Sequence, residues 1–283
     1  MLVIRSSRSL RKIVQGFKDK KKTLGFVPTM GYLHEGHLSI VRRARKESDC
    51  VVVSVFVNPL QFGPKEDFRR YPRDEARDIK MLKNAKVDVL FMPDTKDFYP
   101  ADFRSGVSVG FLSRPLCGAT RPTHFAGVAT GVLKLLNLVS PDLLYLGQKD
   151  YQQFRVVQQM IQDLDVPVEL RLCPTFREKD GLAMSSRNYF LDTEERMQAT
   201  YLNRALGAAE DLIRRGIRNT QELKQVMRSE LSKAPRAKVD YAEIVDAASL
   251  SPVVQLKKGQ KIELALAVFF SKTRLIDNRI VRV

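Results

Sequence analysis

The sequence predicts an α/β fold, a doubly wound parallel sheet followed by a smaller α+β domain. Three observations predict it. Apolar runs of strand length alternate with helix-spaced segments up to about residue 175, the order that produces right-handed βαβ crossovers. The run CVVVSVFV, Cys50–Val57, is apolar on both faces, as in a strand buried inside a parallel sheet. Beyond residue 175 the order changes to two helices and then strands. Domains of residues 1–175 and 176–283 follow from that change.

LGFVPT (Leu24–Thr29) is a short apolar run that reads as a buried strand. From His37 the apolar residues Leu38, Ile40, Val41 and Ala44 fall at helical spacing. The β-branched run from Cys50 is ended by Asn58-Pro59. Asp74–Ala85 reads as a helix, Val87–Pro93 as a strand, and Gly127–Val139 as an apolar helix stopped by Ser140-Pro141. Asp142–Gly147 is a strand, Tyr151–Leu164 a helix and Val168–Pro174 a strand. This is the Rossmann-like order. In the second domain Asp192 with Glu195 forms a capping-box pattern opening one long helix, TEERMQATYLNRALGAAEDLIRRG, and a further helix follows Thr220. VDYAEIVDA, KIELALAVFF and TRLIDNRIVRV read as strands.

Composition narrows the class. The chain has 283 residues, 44% of them hydrophobic, enough to bury a sizeable core. MLVIRSSRSLRKIV lacks a continuous apolar stretch of signal-peptide length, and no run approaches the ~20 residues that cross a bilayer. A soluble, cytoplasmic protein with no membrane partner is expected. Cys50, Cys117 and Cys173 are far apart and form no CxxC pair, so reduced thiols are expected rather than a disulfide framework or a zinc site. The net charge of +16 invites a nucleic-acid reading. It is spread over both domains, however, and its dense patches, Lys18–Lys22 and Arg42–Lys46, are short and lie beside helical patterns. No nucleic-acid partner is expected. A general attraction for anionic small molecules is.

In open α/β sheets, ligands bind beyond the carboxyl ends of the strands. Four strand-end loops carry the unusual polar residues: PTMGYLHEGH, NPLQFG, GQKDYQQ and REKDGLAMSSRN. His34 and His37 lie three apart, with Gly36 between them, at the mouth of a helix. Free amides and the positive dipole end make such a place a phosphate cradle, to which imidazole donors add. The spacing alone leaves open an anion site, an incidental pair or, less readily, a metal pair. Ser185, Ser186 and Arg187 are good phosphate ligands in a loop after a Lys-Asp-Gly turn, or else a helix-capping connector. Lys149 and Asp150 suit a phosphate and a ribose hydroxyl, or form an ordinary surface ion pair. Gln61 and Gln153 are amides that both donate and accept, suited to a ligand bearing hydroxyls and a carboxylate.

The HxGH stretch after a first strand, with a Ser/Lys-type loop near the end of the sheet, resembles the HIGH and KMSKS elements of class I nucleotidyl-transferring enzymes. FVPTMGYLHEGHLSIV, VSVFVNPLQFGPKEDFRRYPR, RPTHFAGVATGVLKLLN, PDLLYLGQKDYQQ and REKDGLAMSSRN together resemble the pantoate–β-alanine ligase family. The resemblance implies an ATP-dependent ligase that condenses pantoate with β-alanine through a pantoyl adenylate, releasing pyrophosphate and AMP. It implies ATP and Mg²⁺, a homodimer, and a C-terminal lid domain. Residue by residue it implies ATP contacts at Met30, Gly31, Tyr32, Leu33, His34, Glu35, Gly36 and His37, with His37 the proton donor. Further ATP contacts fall at Gly147, Gln148, Lys149, Asp150, Phe176, Met184, Ser185, Ser186 and Arg187. His34, Lys149, Ser185, Ser186 and Arg187 share the phosphate charge with His37. Gln61 and Gln153 are implied to hold pantoate, and Gln61 also lies beside the β-alanine path. Three positions depart from the family pattern: Tyr32 stands where a small residue is usual, Phe176 replaces an aliphatic one, and Gly131 replaces valine.

Overall fold

A computed structural model describes residues 1–64 and 66–283. The chain forms two compact units. One comprises residues 1–113, 121–148 and 153–174; the other comprises 114–120, 149–152 and 175–283.

The elements of the first part of the chain are β1 (Leu2–Ile4), α1 (Ser7–Lys18), β2 (Leu24–Thr29), α2 (Glu35–Glu47), β3 (Cys50–Val55), α3 (Glu75–Asn84), β4 (Val89–Phe91), the one-turn helices α4 (Thr95–Phe98) and α5 (Cys117–Thr120), α6 (His124–Val139), β5 (Leu143–Gly147), α7 (Tyr151–Asp163) and β6 (Glu169–Cys173). The six strands form one wholly parallel sheet in the order β1-β4-β3-β2-β5-β6. The chain runs outward from β2 through β3 to β4, then returns to place β5 on the other side of β2. The strand order therefore reverses between β2 and β5, where an α/β sheet opens its ligand crevice. The first five residues of β3 are buried, because a central parallel strand is covered on both faces. Leu38, Val41 and Ala44 of α2 pack with Val27, Val51, Val53 and Leu90 of the sheet. That packing fixes the entry of α2 beside the end of β2.

Two features leave little trace in the sequence. β1 has three residues, and α1, capped by the Ser6 hydroxyl accepting from Ser9 N, buries only Leu10 and Val14. Such short or thinly apolar segments carry little periodicity. Helix boundaries also differ from those expected: α2 begins at Glu35, so His37 lies inside its first turn, and α6 begins at His124.

The second unit holds α8 (Thr193–Gln198), α9 (Tyr201–Arg214), α10 (Thr220–Ser232) and the antiparallel sheet β7 (Ala237–Asp246), β8 (Lys261–Phe270), β9 (Thr273–Arg282). The capping box is present, with Glu195 N donating to Asp192 Oδ1 at 2.8 Å and Asp192 N donating to Glu195 Oε2 at 3.2 Å. The single helix expected after it is in fact two. The Thr200 hydroxyl donates to Met197 O at 2.8 Å, and the backbone tightens there into a turn between α8 and α9. Leu202, Leu206 and Ile213 of α9 and Leu223, Met227 and Leu231 of α10 bury against Leu264, Leu266 and Val268 of β8. Glu263, on β8 between Val245 and Ile280, is 2% exposed, and its Oε2 has no hydrogen-bond partner among the described residues. Burial pushes its carboxyl up to about 8. Cys50, Cys117 and Cys173 are all buried free thiols.

Candidate functional site

The expected site residues fall in both units.

In the first unit, β2 ends at Thr29 and the chain turns through Gly31 (φ 82°) and Tyr32 (φ 49°) into α2. Glycine is required at 31 on two counts. Its φ is left-handed, and a Cβ there would lie 2.8 Å from Val55 Cγ1 and 3.0 Å from Asp78 Oδ2. Gly31 N donates to Thr29 Oγ1 at 3.2 Å. Tyr32 N and Leu33 N donate to Asp78 Oδ2 and Oδ1, each at 2.8 Å. His34 is the N-cap of α2, and its N–H donates to His37 Nδ1 at 3.3 Å, with the ring centroids 4.0 Å apart. Four successive amides, 31 to 34, are thus held by side chains. Because Nδ1 of His37 accepts, a neutral His37 carries its proton on Nε2. Glu35, the acidic residue of the first turn, is paired with Arg42 at 2.8 Å, which offsets its charge at the helix mouth.

Gln61 ends a 3₁₀ turn, Pro59–Gln61, that follows β3. Its Nε2 lies 2.9 Å from Met30 Sδ, so the Gln61 amide and the start of the histidine loop meet. Asn58 organises this turn. Its Oδ1 accepts from Leu60 N and the Tyr99 hydroxyl, and its Nδ2 donates to Gly127 O at 2.9 Å and Gln61 Oε1 at 3.2 Å. Gly131 makes this possible, since a Cβ there would lie 2.6 Å from Asn58 Nδ2. Gly127 is equally necessary: its Cβ would overlap Leu60 O and lie 2.5 Å from Gln61 N. The Gln61 carbonyl is bonded to His124 Nδ1 at 2.8 Å and accepts from Arg121 Nη2 at 3.3 Å. Arg121 also grips Glu66 through two nitrogens at 2.7 and 2.6 Å. Burial raises the Glu66 carboxyl, but Arg121 more than offsets this and leaves it below the ordinary range. Gly147 ends β5, Gln148 begins the turn that follows, and Gln153 is half-buried near the start of α7.

In the second unit, Lys149 and Asp150 lie 3.8 Å apart as an ion pair, and Lys149 O accepts from Asn278 Nδ2 at 2.8 Å. Met184 N donates to Phe176 O at 3.0 Å, joining the two ends of a short loop. Ser185 does cap a helix: its Oγ accepts from Arg187 N at 3.2 Å at the start of a 3₁₀ segment, Ser186–Phe190. Asn188 Nδ2 ties the loop to Glu178 Oε1 and Ala183 O, each at 3.2 Å. Phe176 is 39% exposed.

Sequence reasoning did not single out Asn58, Asp78, Arg121 or His124. RPTHF and PLQF carry the last two and Gln61's neighbours, but no spacing rule links residues about sixty positions apart.

The pantoate-beta-alanine ligase family profile matches residues 2–280. A pantothenate synthetase of Thermotoga neapolitana is 52% identical over 280 residues, 99% of each chain. That of Caldicellulosiruptor saccharolyticus is 50% identical over 283 residues, the whole of both. Among solved structures, the pantothenate synthetase of Thermus thermophilus superposes with a TM-score of 0.94 at 45% identity, covering 100% of both chains. The pantoate-beta-alanine ligase of Francisella tularensis, complexed with beta-gamma ATP and beta-alanine, gives 0.82 at 34% identity, covering 99% of this chain and 97% of that one.

Proposed function

The chain belongs to the pantoate-beta-alanine ligase family, and on that premise we propose how its own residues serve the reaction. It is an ATP-dependent ligase that joins pantoate to β-alanine. In the first step a pantoate carboxylate oxygen attacks the α-phosphorus of ATP, and the bond from that phosphorus to pyrophosphate breaks. In the second, the β-alanine nitrogen attacks the acyl carbon of pantoyl adenylate, AMP departs with the bonding electrons, and the nitrogen loses its proton. Transfer at phosphorus asks for positioning and charge stabilisation rather than a protein nucleophile.

The segment Met30–His37 lies along the nucleotide, with the first turn of α2 facing the phosphates. His37 donates from Nε2 to the phosphate oxygens, and His34 lies beside it. Lys149, Ser185, Ser186 and Arg187 share the negative charge. Gly147, Gln148, Asp150, Phe176 and Met184 complete the nucleotide contacts. Gln61 and Gln153 hold pantoate by their amides, and Gln61 borders the path of β-alanine. Among the described residues no group of three His, Cys, Asp or Glu side chains is placed to hold a metal ion. Mg²⁺ enters as part of the nucleotide substrate, carried by its phosphates. The protein acts as a homodimer, as the family resemblance implies, in the cytoplasm, as its composition and unpaired cysteines suggest; no helix among the described residues is long and apolar enough to cross a membrane.

The observation that carries the residue reading is the acceptance of His34 N–H by His37 Nδ1 at the mouth of α2. The test is ATP–pyrophosphate exchange. Exchange that requires pantoate, followed by AMP and amide formation once β-alanine is added, is expected. Folded protein that gives no pantoate-dependent exchange overturns the reading, and a nucleotidyl product with no amide would make the chain a plain transferase.

A further inference from the structure

We infer that Asp78 is a positioning residue that sets the shape of the Met30–His37 loop for its nucleotide, assisted by Arg77 through the ring of Tyr32. The inference rests on the reading above that this loop lies along ATP.

Side chains, rather than a neighbouring strand or helix, take the first amides of the loop. Thr29 Oγ1 takes Gly31 N and itself donates to Ser54 O at 2.8 Å, anchoring the end of β2 to β3. The next two amides, Tyr32 and Leu33, go to the two oxygens of one carboxylate, Asp78, supplied by α3. A single acidic group therefore fixes two consecutive peptide planes. A Cβ at position 31 would lie 3.0 Å from its Oδ2 and 2.8 Å from Val55 Cγ1, so Asp78 and Val55 together crowd any larger residue there. Asp78 is 1% exposed, and each of its oxygens accepts from one of these amides. Burying a carboxylate disfavours its charged form, and here burial outweighs the amide bonds, leaving the group above its ordinary range. As a device for stability alone this is a poor one. As a device for holding an amide pair at one orientation it is well suited, because a carboxylate has only acceptor oxygens to offer.

Arg77, the preceding residue of α3, is exposed and lays its guanidinium 5.1 Å from the centroid of the Tyr32 ring. The tyrosine that departs from the family pattern is thus part of the same clamp: its amide goes to Asp78 and its ring to Arg77. Two adjacent residues of one helix hold both the backbone and the side chain of position 32.

A second consequence concerns which groups are left for the ligand. With the amides of 31 to 34 taken by Thr29, Asp78 and His37, and that of His37 by His34 O, the first turn of α2 offers a phosphate, among the described residues, the amides of Glu35 and Gly36. Asp78 thereby sets the direction in which that turn points.

The experiment is Asp78→Asn. The amide retains one acceptor but turns an N–H₂ toward a backbone N–H, so one charge-assisted bond is replaced by a donor–donor contact. Binding of β,γ-methylene-ATP, measured by calorimetry without pantoate, is expected to weaken about tenfold, the loss of one such bond. The KM for ATP should rise by a similar factor, about tenfold, with the KM for pantoate within about twofold of wild type. Equal rises in both KM values, or unchanged nucleotide binding by folded Asp78→Asn, overturn the inference. Should that variant fail to fold, Arg77→Ala decides: its side chain is exposed, and about threefold weaker analogue binding with pantoate unaffected is expected. Unchanged analogue binding there overturns the clamp. Wild-type protein without pantoate-dependent exchange would instead remove the reading on which this rests, so the two failures are distinct.

Discussion

His37 Nδ1 accepts the backbone N–H of His34 at 3.3 Å, across two rings whose centroids are 4.0 Å apart. One bond therefore closes the first turn of α2 and selects the tautomer that presents Nε2–H. A donor aimed at developing charge supplies about 2–4 kcal/mol when removed from comparable sites. His37→Ala should lower kcat by a factor of order 10² to 10³. His37→Gln, which keeps a terminal N–H₂, should recover part of that loss. Single-turnover formation of pantoyl adenylate is the measurement, and turnover by the alanine variant within about threefold of wild type would remove His37 from the reaction.

Gly127→Ala should act at Gln61. The new methyl would overlap Leu60 O and crowd Gln61 N, so either α6 or the 3₁₀ turn must move. Overpacking of this kind costs about 1–3 kcal/mol. Because the turn carries Gln61, the KM for pantoate should rise more than the KM for ATP. Thermal unfolding together with the two KM values tests this; a variant with wild-type stability and pantoate KM contradicts the close approach.

Glu263→Gln should change the pH dependence of stability. Burial raises the native carboxyl from its ordinary value to about 8, so the native state holds a proton that the unfolded chain releases from about pH 4.5 upward. The stabilisation is full below the unfolded value and is lost as pH rises through the native one. Within that window each pH unit removes about 1.4 kcal/mol. Glutamine does not titrate. Denaturant unfolding from pH 5 to pH 9 should therefore show a flatter curve for the variant, with the two proteins diverging toward higher pH. Parallel curves would place the Glu263 titration elsewhere.

Much of the fold is legible in the sequence. The apolar run of β3, the helical spacing of α2 and the Asp192–Glu195 box each rest on neighbours within a few residues, and local rules read neighbours. The break between α8 and α9 is not legible: Thr200, whose hydroxyl bonds Met197 O there, sits in a helix-spaced run with no Gly or Pro beside it to mark a stop. The candidate site divides similarly. The loops that carry His34, His37, Gln61 and Ser185 are marked by glycines, prolines and strand ends. What holds them is not. Asp78 meets Leu33 across 45 positions, and His124 meets Gln61 across 63. Tyr32 and Gly131 also make sense only with their spatial partners, Arg77 for one and Asn58 for the other.

Two of the four side-chain-bound amides, those of Tyr32 and Leu33, tie the shape of the Met30–His37 loop to the integrity of α3. A loop wired in this way undergoes its ordering when the protein folds, so nucleotide binding carries little further entropy loss. The converse is a thermodynamic linkage. Any fluctuation that peels α3 away releases Asp78 and abolishes the binding conformation, and a bound nucleotide must oppose that fluctuation by the same free energy. Amide hydrogens of α3, a helix that carries none of the residues assigned to ATP, would then exchange more slowly in the presence of nucleotide. In this chain a surface helix would serve as the gauge of an occupied site.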